Sequence, residues 1–295
     1  MLPEDRWLFA GSMVAARMSH GAFKIDADDR VSVFGGRSPQ VMKKGELYDP
    51  RNGIWTPTVS MTSGRAMHTA TVLPDGKVLV VGGYGNSTAT LFDPAKGEWS
   101  VTGQMANKRG DHTSTLLPIG KVLAVGGDGM SPDSSAELYD PATGLWTIIG
   151  SMALARSEHT ATLLPNGKVL VAGGNGNGAS SAELYDPATG WWTNTGALTG
   201  GRTQHTATLL PNGKVLVAGD DLLDRVGIGA QTIFVEIVQP IAIRENLGTG
   251  SLFADRIKTP SMSPLNDSIS ATNRCPLKDF SALLRNSGSM NSLSN

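Results

Sequence analysis

From His159 to Leu164 small polar and apolar side chains alternate, and from Lys168 the chain is nearly all apolar up to Gly173 and Gly174. Alternation of small side chains at period two predicts a strand packed against neighbours on both faces, and the apolar run predicts a second, buried strand. Pro165, Asn166 and Gly167 stand between them. Asn-Gly tolerates the positive φ of a tight turn, so the two strands are expected to form a hairpin. The two glycines suit a place where a side chain would strike neighbouring backbone or where φ must be positive. A third strand, Ala182 to Asp186, is stopped by Pro187, which has no amide for a ladder. An Asp-Pro-Ala-Thr-Gly turn follows, as it does at Asp140 to Gly144, and a fourth strand is expected to start at the tryptophan.

This unit recurs every 44 to 48 residues or so, which makes it a statement about architecture. All five histidines, His20, His68, His112, His159 and His205, fall in one slot. Each follows an arginine by three positions: Arg17, Arg65, Arg109, Arg156 and Arg202. Gly-Gly pairs come next at Gly35, Gly82, Gly126 and Gly173, and the fifth copy has Gly219 followed by Asp220. Tyr48, Phe92, Tyr139 and Tyr185 each precede a tryptophan by seven positions, at Trp55, Trp99, Trp146 and Trp192. A Gly-Gly pair closing an apolar strand, with a Tyr and a Trp behind it, resembles the kelch repeat in its bacterial-style form. The resemblance covers roughly residues 7 to 220 and implies an all-β propeller of four-stranded blades.

Four antiparallel strands of this size cannot bury both faces alone, so each blade needs neighbours. Blades are expected over residues 17–59, 65–103, 109–150 and 156–196, with a partial fifth over 202–240 whose Val235 to Pro240 echoes the third strand. Trp7 precedes Met13 by six residues, as Trp55 precedes Met61, so residues 5–11 read as a fourth strand without its blade. Either an upstream portion is missing, or this strand completes the last blade and makes about five in all. Residues 241–295 are rich in Ser and Asn, hold no period, and are expected to be a disordered tail.

Composition adds exclusions. Of 295 residues 36 are glycine, 17% are charged and the net charge is −1, which fits a turn-rich β protein and points to no nucleic-acid partner. A single cysteine, Cys275, rules out a disulfide framework within the chain. No apolar run approaches the length of a membrane span, and the start of the chain does not read as a signal peptide. A cytoplasmic location is the default expectation.

Candidate chemistry is sparse. In a closed ring the five arginines would gather on one face around the channel mouth as an anion-binding funnel. The alternative is that each pairs with a repeat glutamate, Glu46, Glu137 or Glu183, and serves the fold. The histidines are expected to bond backbone of a neighbouring blade rather than converge on a metal. The second copy has Phe92 for tyrosine and Thr90 for glutamate, drift that packing should tolerate. Kelch-type repeats also occur in galactose oxidase, whose copper site uses tyrosine and histidine with a tyrosine-cysteine cross-link. Here Tyr48, Tyr139 and Tyr185 take the structural slot, only Tyr84 lies outside it, and Cys275 is in the tail, so no copper and no other cofactor is expected. Gly174 to Gly178 has the glycines of a phosphate loop without its helix or lysine.

The loops after the glycine pairs, residues 37–44, 84–88, 128–135 and 175–180, differ in length and charge while the strands stay nearly constant. Divergent loops on a rigid scaffold are the usual layout of a recognition surface. The expected function is a non-catalytic protein-interaction scaffold that uses these loops, the nearby arginines and Tyr84. The runner-up is a carbohydrate-binding or accessory domain of a sugar-active, galactose oxidase-like protein, in which Tyr84 and Trp191 would stack on sugar.

Overall fold

The computed structural model describes residues 10–25, 29–128, 131–219 and the strand Phe234–Val238. The chain divides into two compact units, Met1–Ile243 and Arg244–Asn295, and the described residues all belong to the first. Trp7, the first-repeat turn at residues 26–28, the tail and Cys275 lie outside the described residues.

Among the described residues every element is a β-strand. The first sheet holds β1 (Gly21–Ile25), β2 (Arg30–Phe34), β3 (Gly45–Asp49) and β4 (Ile54–Thr58) in sequence order. The second holds β5 (Thr69–Val72), β6 (Val78–Val81), β7 (Ala89–Asp93) and β8 (Glu98–Val101). The third holds β9 (Thr113–Leu116), β10 (Val122–Val125), β11 (Ala136–Asp140) and β12 (Leu145–Ile149), and the fourth β13 (Thr160–Leu163), β14 (Val169–Ala172), β15 (Ala182–Asp186) and β16 (Trp191–Asn194). A fifth sheet of three strands holds β17 (Thr206–Leu209), β18 (Val215–Gly219) and β19 (Phe234–Val238). All pairings are antiparallel, and the innermost strands β1, β5, β9, β13 and β17 pack side by side in that order. These are the blades of a propeller, and among the described residues four are four-stranded and the fifth has three strands.

The fourth strand starts one residue before each tryptophan, at Ile54, Glu98, Leu145 and Trp191 rather than at the tryptophan itself. That residue pairs with the aspartate that ends the third strand, so the ladder closes one step nearer the turn. Each tryptophan then lies opposite the repeat tyrosine or phenylalanine, with ring centroids 5.0–5.1 Å apart. The faint echo at Val235 to Pro240 does supply a third strand, with Glu236 opposite Val217 as Glu183 is opposite Val171.

The second strand of each complete blade from the second onward is buried along its whole length. Its alternate side chains go to opposite neighbours. Leu79 and Val81 pack with Val122, Ala124 and Tyr139 of the next blade, while Leu123 and Val125 pack with Val169, Val171 and Tyr185 of the one after. The core is therefore a set of layers between blades, and each such side chain contributes about 1.5–3 kcal/mol by leaving water. No helix among the described residues is long and apolar enough to cross a membrane.

Candidate functional site

In a four-stranded meander, the connection from second to third strand and the connection into the next blade emerge at the same end. Backbone bonds tie the two together. Tyr84 N donates to Ala66 O at 2.9 Å, Gly110 and Asp128 exchange bonds at 3.0 and 2.7 Å, and Ser157 and Asn175 do so at 3.0 and 2.6 Å. Each variable loop is thus docked on the Arg-x-x-His segment of its own blade, and the loops share one face.

The arginines of that segment point inward. Arg65, Arg109, Arg156 and Arg202 are 0–2% exposed, and the Arg17 side chain is fully covered. Arg17 pairs with Glu46, Arg109 Nη2 lies 3.0 Å from Glu137, and Arg156 Nη2 lies 2.9 Å from Glu183. The remaining donors reach the carbonyl oxygens of the strand that ends in the glycine pair, such as Gly126 O at 2.7 Å and Gly173 O at 2.9 Å. Arg202 reaches Gly219 O at 3.1 Å. The anion funnel is replaced by internal clamps, because these carbonyls and carboxylates satisfy the guanidinium where water cannot.

The second glycine of each pair completes the joint between blades. Gly83 N donates to Arg109 O at 2.8 Å and Gly127 N to Arg156 O at 2.9 Å. Histidine adds a second contact across the same seam, to a side-chain hydroxyl where backbone was expected: Nε2 of His112 and His205 lies 3.0 Å from the hydroxyl of Thr69 and Thr160. His68 faces Gly21 at the equivalent position, and His20 is exposed. Burial, with a neighbouring arginine, pushes His68 and His205 down to about 4 and His112 and His159 to about 3. Among the described residues no three His, Cys, Asp or Glu side chains come together to hold a metal.

One set of residues was not singled out in the sequence. The position just before each histidine, Ser19, Met67, Asp111, Glu158 and Gln204, has φ of 50–61° although none is glycine. The left-handed region costs such residues roughly 1–2 kcal/mol, and held strain of this kind gathers where a fold presents side chains for use. A ladder enforces it: Met67 N donates to Ser19 O, Asp111 N to Met67 O, Glu158 N to Asp111 O, and Gln204 N to Glu158 O, at 2.9–3.3 Å. The ladder crosses every blade, so these five side chains form a belt on the face that carries the loops. Burial, with Glu158 and Asp128 nearby, pushes the Asp111 carboxyl up to about 6. The signal available in the sequence was a position that changes in every copy between an arginine and a histidine that never change.

Tyr84 is 73% exposed on this face. Trp191 is 72% exposed but begins β16, after a turn at the opposite end of its blade. In the glycine-rich segment after Gly174, Gly178 O accepts a bond from Arg156 at 3.1 Å, so that loop closes over its own clamp.

The family described as Kelch motif matches residues 120–153, which run from the start of the second strand of the third blade to the next connection. No curated protein matches the chain. Among solved structures the chain is similar to YjhT, with a TM-score of 0.59 and 16% identity over 75% of this chain and 80% of that one. It is also similar to a fungal alcohol oxidase of the AA5 family in complex with copper, with a TM-score of 0.48 and 20% identity over 70% of this chain and 59% of that one. Identity this low speaks to fold alone, and a propeller fold does not by itself assign a role.

Proposed function

We propose that this kelch-repeat propeller is a non-catalytic interaction module that seats a protein partner on the face formed by its variable loops and its belt of strained residues. The observation that carries the reading is the belt. At one position per blade the backbone is held in the same costly conformation while the side chain changes from Ser to Met, Asp, Glu and Gln. Residues that serve the repeat stay constant, as the arginines and histidines do, whereas a surface fitted to an irregular partner varies from copy to copy. Asp111, Glu158 and the docked Asp128 make one side of this face acidic, and Arg37 of the first loop lies near Asp111, so charge complementarity would orient the partner.

Two variants of matched stability separate this face from the other. Tyr84→Ala combined with Asp111→Asn and Glu158→Gln is expected to abolish partner capture in quantitative cross-linking, and Ile119→Ser with Trp191→Ser to leave it intact. The reverse pattern sinks the proposal. The exposed Tyr84 supports the second reading, a carbohydrate site, and a glycan array in which sugar binding disappears with Tyr84→Ala would put that reading first.

A further inference from the structure

In the first, third and fourth blades one carboxylate joins three separate donors. Glu46, Glu137 and Glu183 occupy the same register position of the third strand, opposite Val33, Ala124 and Val171. Each accepts from its arginine and from two successive amides after the repeat methionine. Those amides are Val14 at 2.6 Å and Ala15 at 3.1 Å for Glu46, Ala106 at 2.7 Å and Asn107 at 3.3 Å for Glu137, and Ala153 at 2.7 Å and Leu154 at 3.3 Å for Glu183.

The second blade keeps the donors without the carboxylate. Thr90 stands at the glutamate position, opposite Val80. It is 1% exposed, and its hydroxyl has no hydrogen-bond partner. Arg65, 2% exposed, still donates to Gly82 O at 2.7 Å and Thr88 O at 2.8 Å, as its counterparts do to their carbonyls. Its Nη2, however, bonds only Thr88 Oγ1, at 2.7 Å, where Nη2 of Arg109 and of Arg156 bonds both a serine hydroxyl and a glutamate. Thr62 and Ser63 follow Met61 as Ala106 and Asn107 follow Met105. A cleft of about 530 Å³ opens there, lined by Thr62, Ser63, Arg65, Thr88 and Thr90 among others. The matching cleft in the first blade, where Glu46 lies, is about 280 Å³.

We infer that this cleft binds a carboxylate, from a short free acid or a glutamate side chain of another molecule, whose oxygens accept from the Thr62 and Ser63 amides and Arg65 Nη2. Three other blades show the same set of donors gathered on such a group. Burial with no carboxylate beside it holds the Arg65 guanidinium down at about 10, still protonated at neutral pH, and the charge of an incoming anion would offset the cost of that desolvation. The site does not depend on the protein-partner reading.

The test is a titration of ¹⁵N-labelled full-length protein with sodium propionate, with N-acetylglutamate N-methylamide, and with propionamide as the neutral control. Saturable shifts at the Thr62 and Ser63 amides are expected with one or both carboxylates and not with propionamide, fading as the ligand protonates below roughly pH 4. A response to propionate alone identifies a free acid, and a response to the glutamyl compound identifies a side chain. Thr90→Glu should supply the carboxylate from within, weaken ligand binding by about tenfold or more, and raise Tm. If that variant does not fold, the contrast between propionate and propionamide decides on the wild-type chain. No saturable shift at these amides, or an equal response to propionamide, overturns the inference.

Discussion

Nε2 of His159 lies 3.0 Å from Oγ1 of Thr113, on the innermost strand of the blade before it. The contact holds a neutral imidazole inside a seam where burial disfavours the charged form. In the folded protein His112 and His159 are held down at about 3, against an ordinary value of about 6.5 in the unfolded chain. Between those limits the unfolded state binds protons that the folded state does not, so stability falls as pH drops below about 6.5 and is unaffected above it. At pH 5 each of these two histidines is expected to cost about 2 kcal/mol. Urea unfolding at pH 7.5, 6 and 5 should show the decline, and His112→Gln should make it shallower.

Glu137→Ala is expected to destabilise the fold by about 3–5 kcal/mol, because it leaves the Arg109 charge buried and removes the acceptor of the Ala106 and Asn107 amides. Asp133, 3.2 Å from Arg109 Nη1 and 28% exposed, offers only a partial substitute. Denaturant unfolding measures the loss. A change under about 1 kcal/mol would mean that the clamp contributes little.

Two glycines with similar φ should respond differently to alanine. Gly126, at φ 61°, would place a Cβ 2.5 Å from Arg156 O in the next blade, whereas Gly76, at φ 80°, has nothing within 4 Å. Gly126→Ala is therefore expected to cost about 2–4 kcal/mol, from backbone strain plus a clash that flexible side chains cannot relieve. Gly76→Ala carries the strain alone, about 1–2 kcal/mol. Thermal unfolding of the pair separates conformational cost from inter-blade contact.

Asp111→Asn should stabilise the protein at pH 8 and lose that advantage near pH 4. The folded carboxyl sits at about 6, above its unfolded value near 3.9, so ionising it weakens the fold as pH rises through 6. The advantage at pH 8 over pH 4 is expected to be about 1 kcal/mol once solvent screening of a half-buried group is allowed for. Comparing the variant with wild type at both pH values isolates this group from the histidines and from the ease with which asparagine adopts positive φ.

Strands, hairpins and the Tyr-Trp slot were legible in the sequence because each rests on contacts between residues close together along the chain, and the glycine pairs because they recur in four of the five copies. Alternation placed β13, an apolar run placed β14 and the proline that halts β15 placed that strand, while the echo at Val235 to Pro240 led to β19. The fate of the arginines was not legible in this way, since residue type and spacing do not say whether a guanidinium turns outward to an anion or inward to Glu137. Nor was the significance of Thr90, which reads as harmless drift until the other blades show what a glutamate does there.

The repeat pattern by itself determined that the chain forms four-stranded units and which residues each unit spends on its own packing. Only the tertiary structure decided that Ser19, Met67, Asp111, Glu158 and Gln204 form one belt, and that Arg65 faces a cleft where its counterparts face a glutamate. The physical reason is distance along the chain. Belt and cleft arise from bonds between blades and between strands some 20 to 48 residues apart, and no local alternation of polar and apolar side chains encodes those.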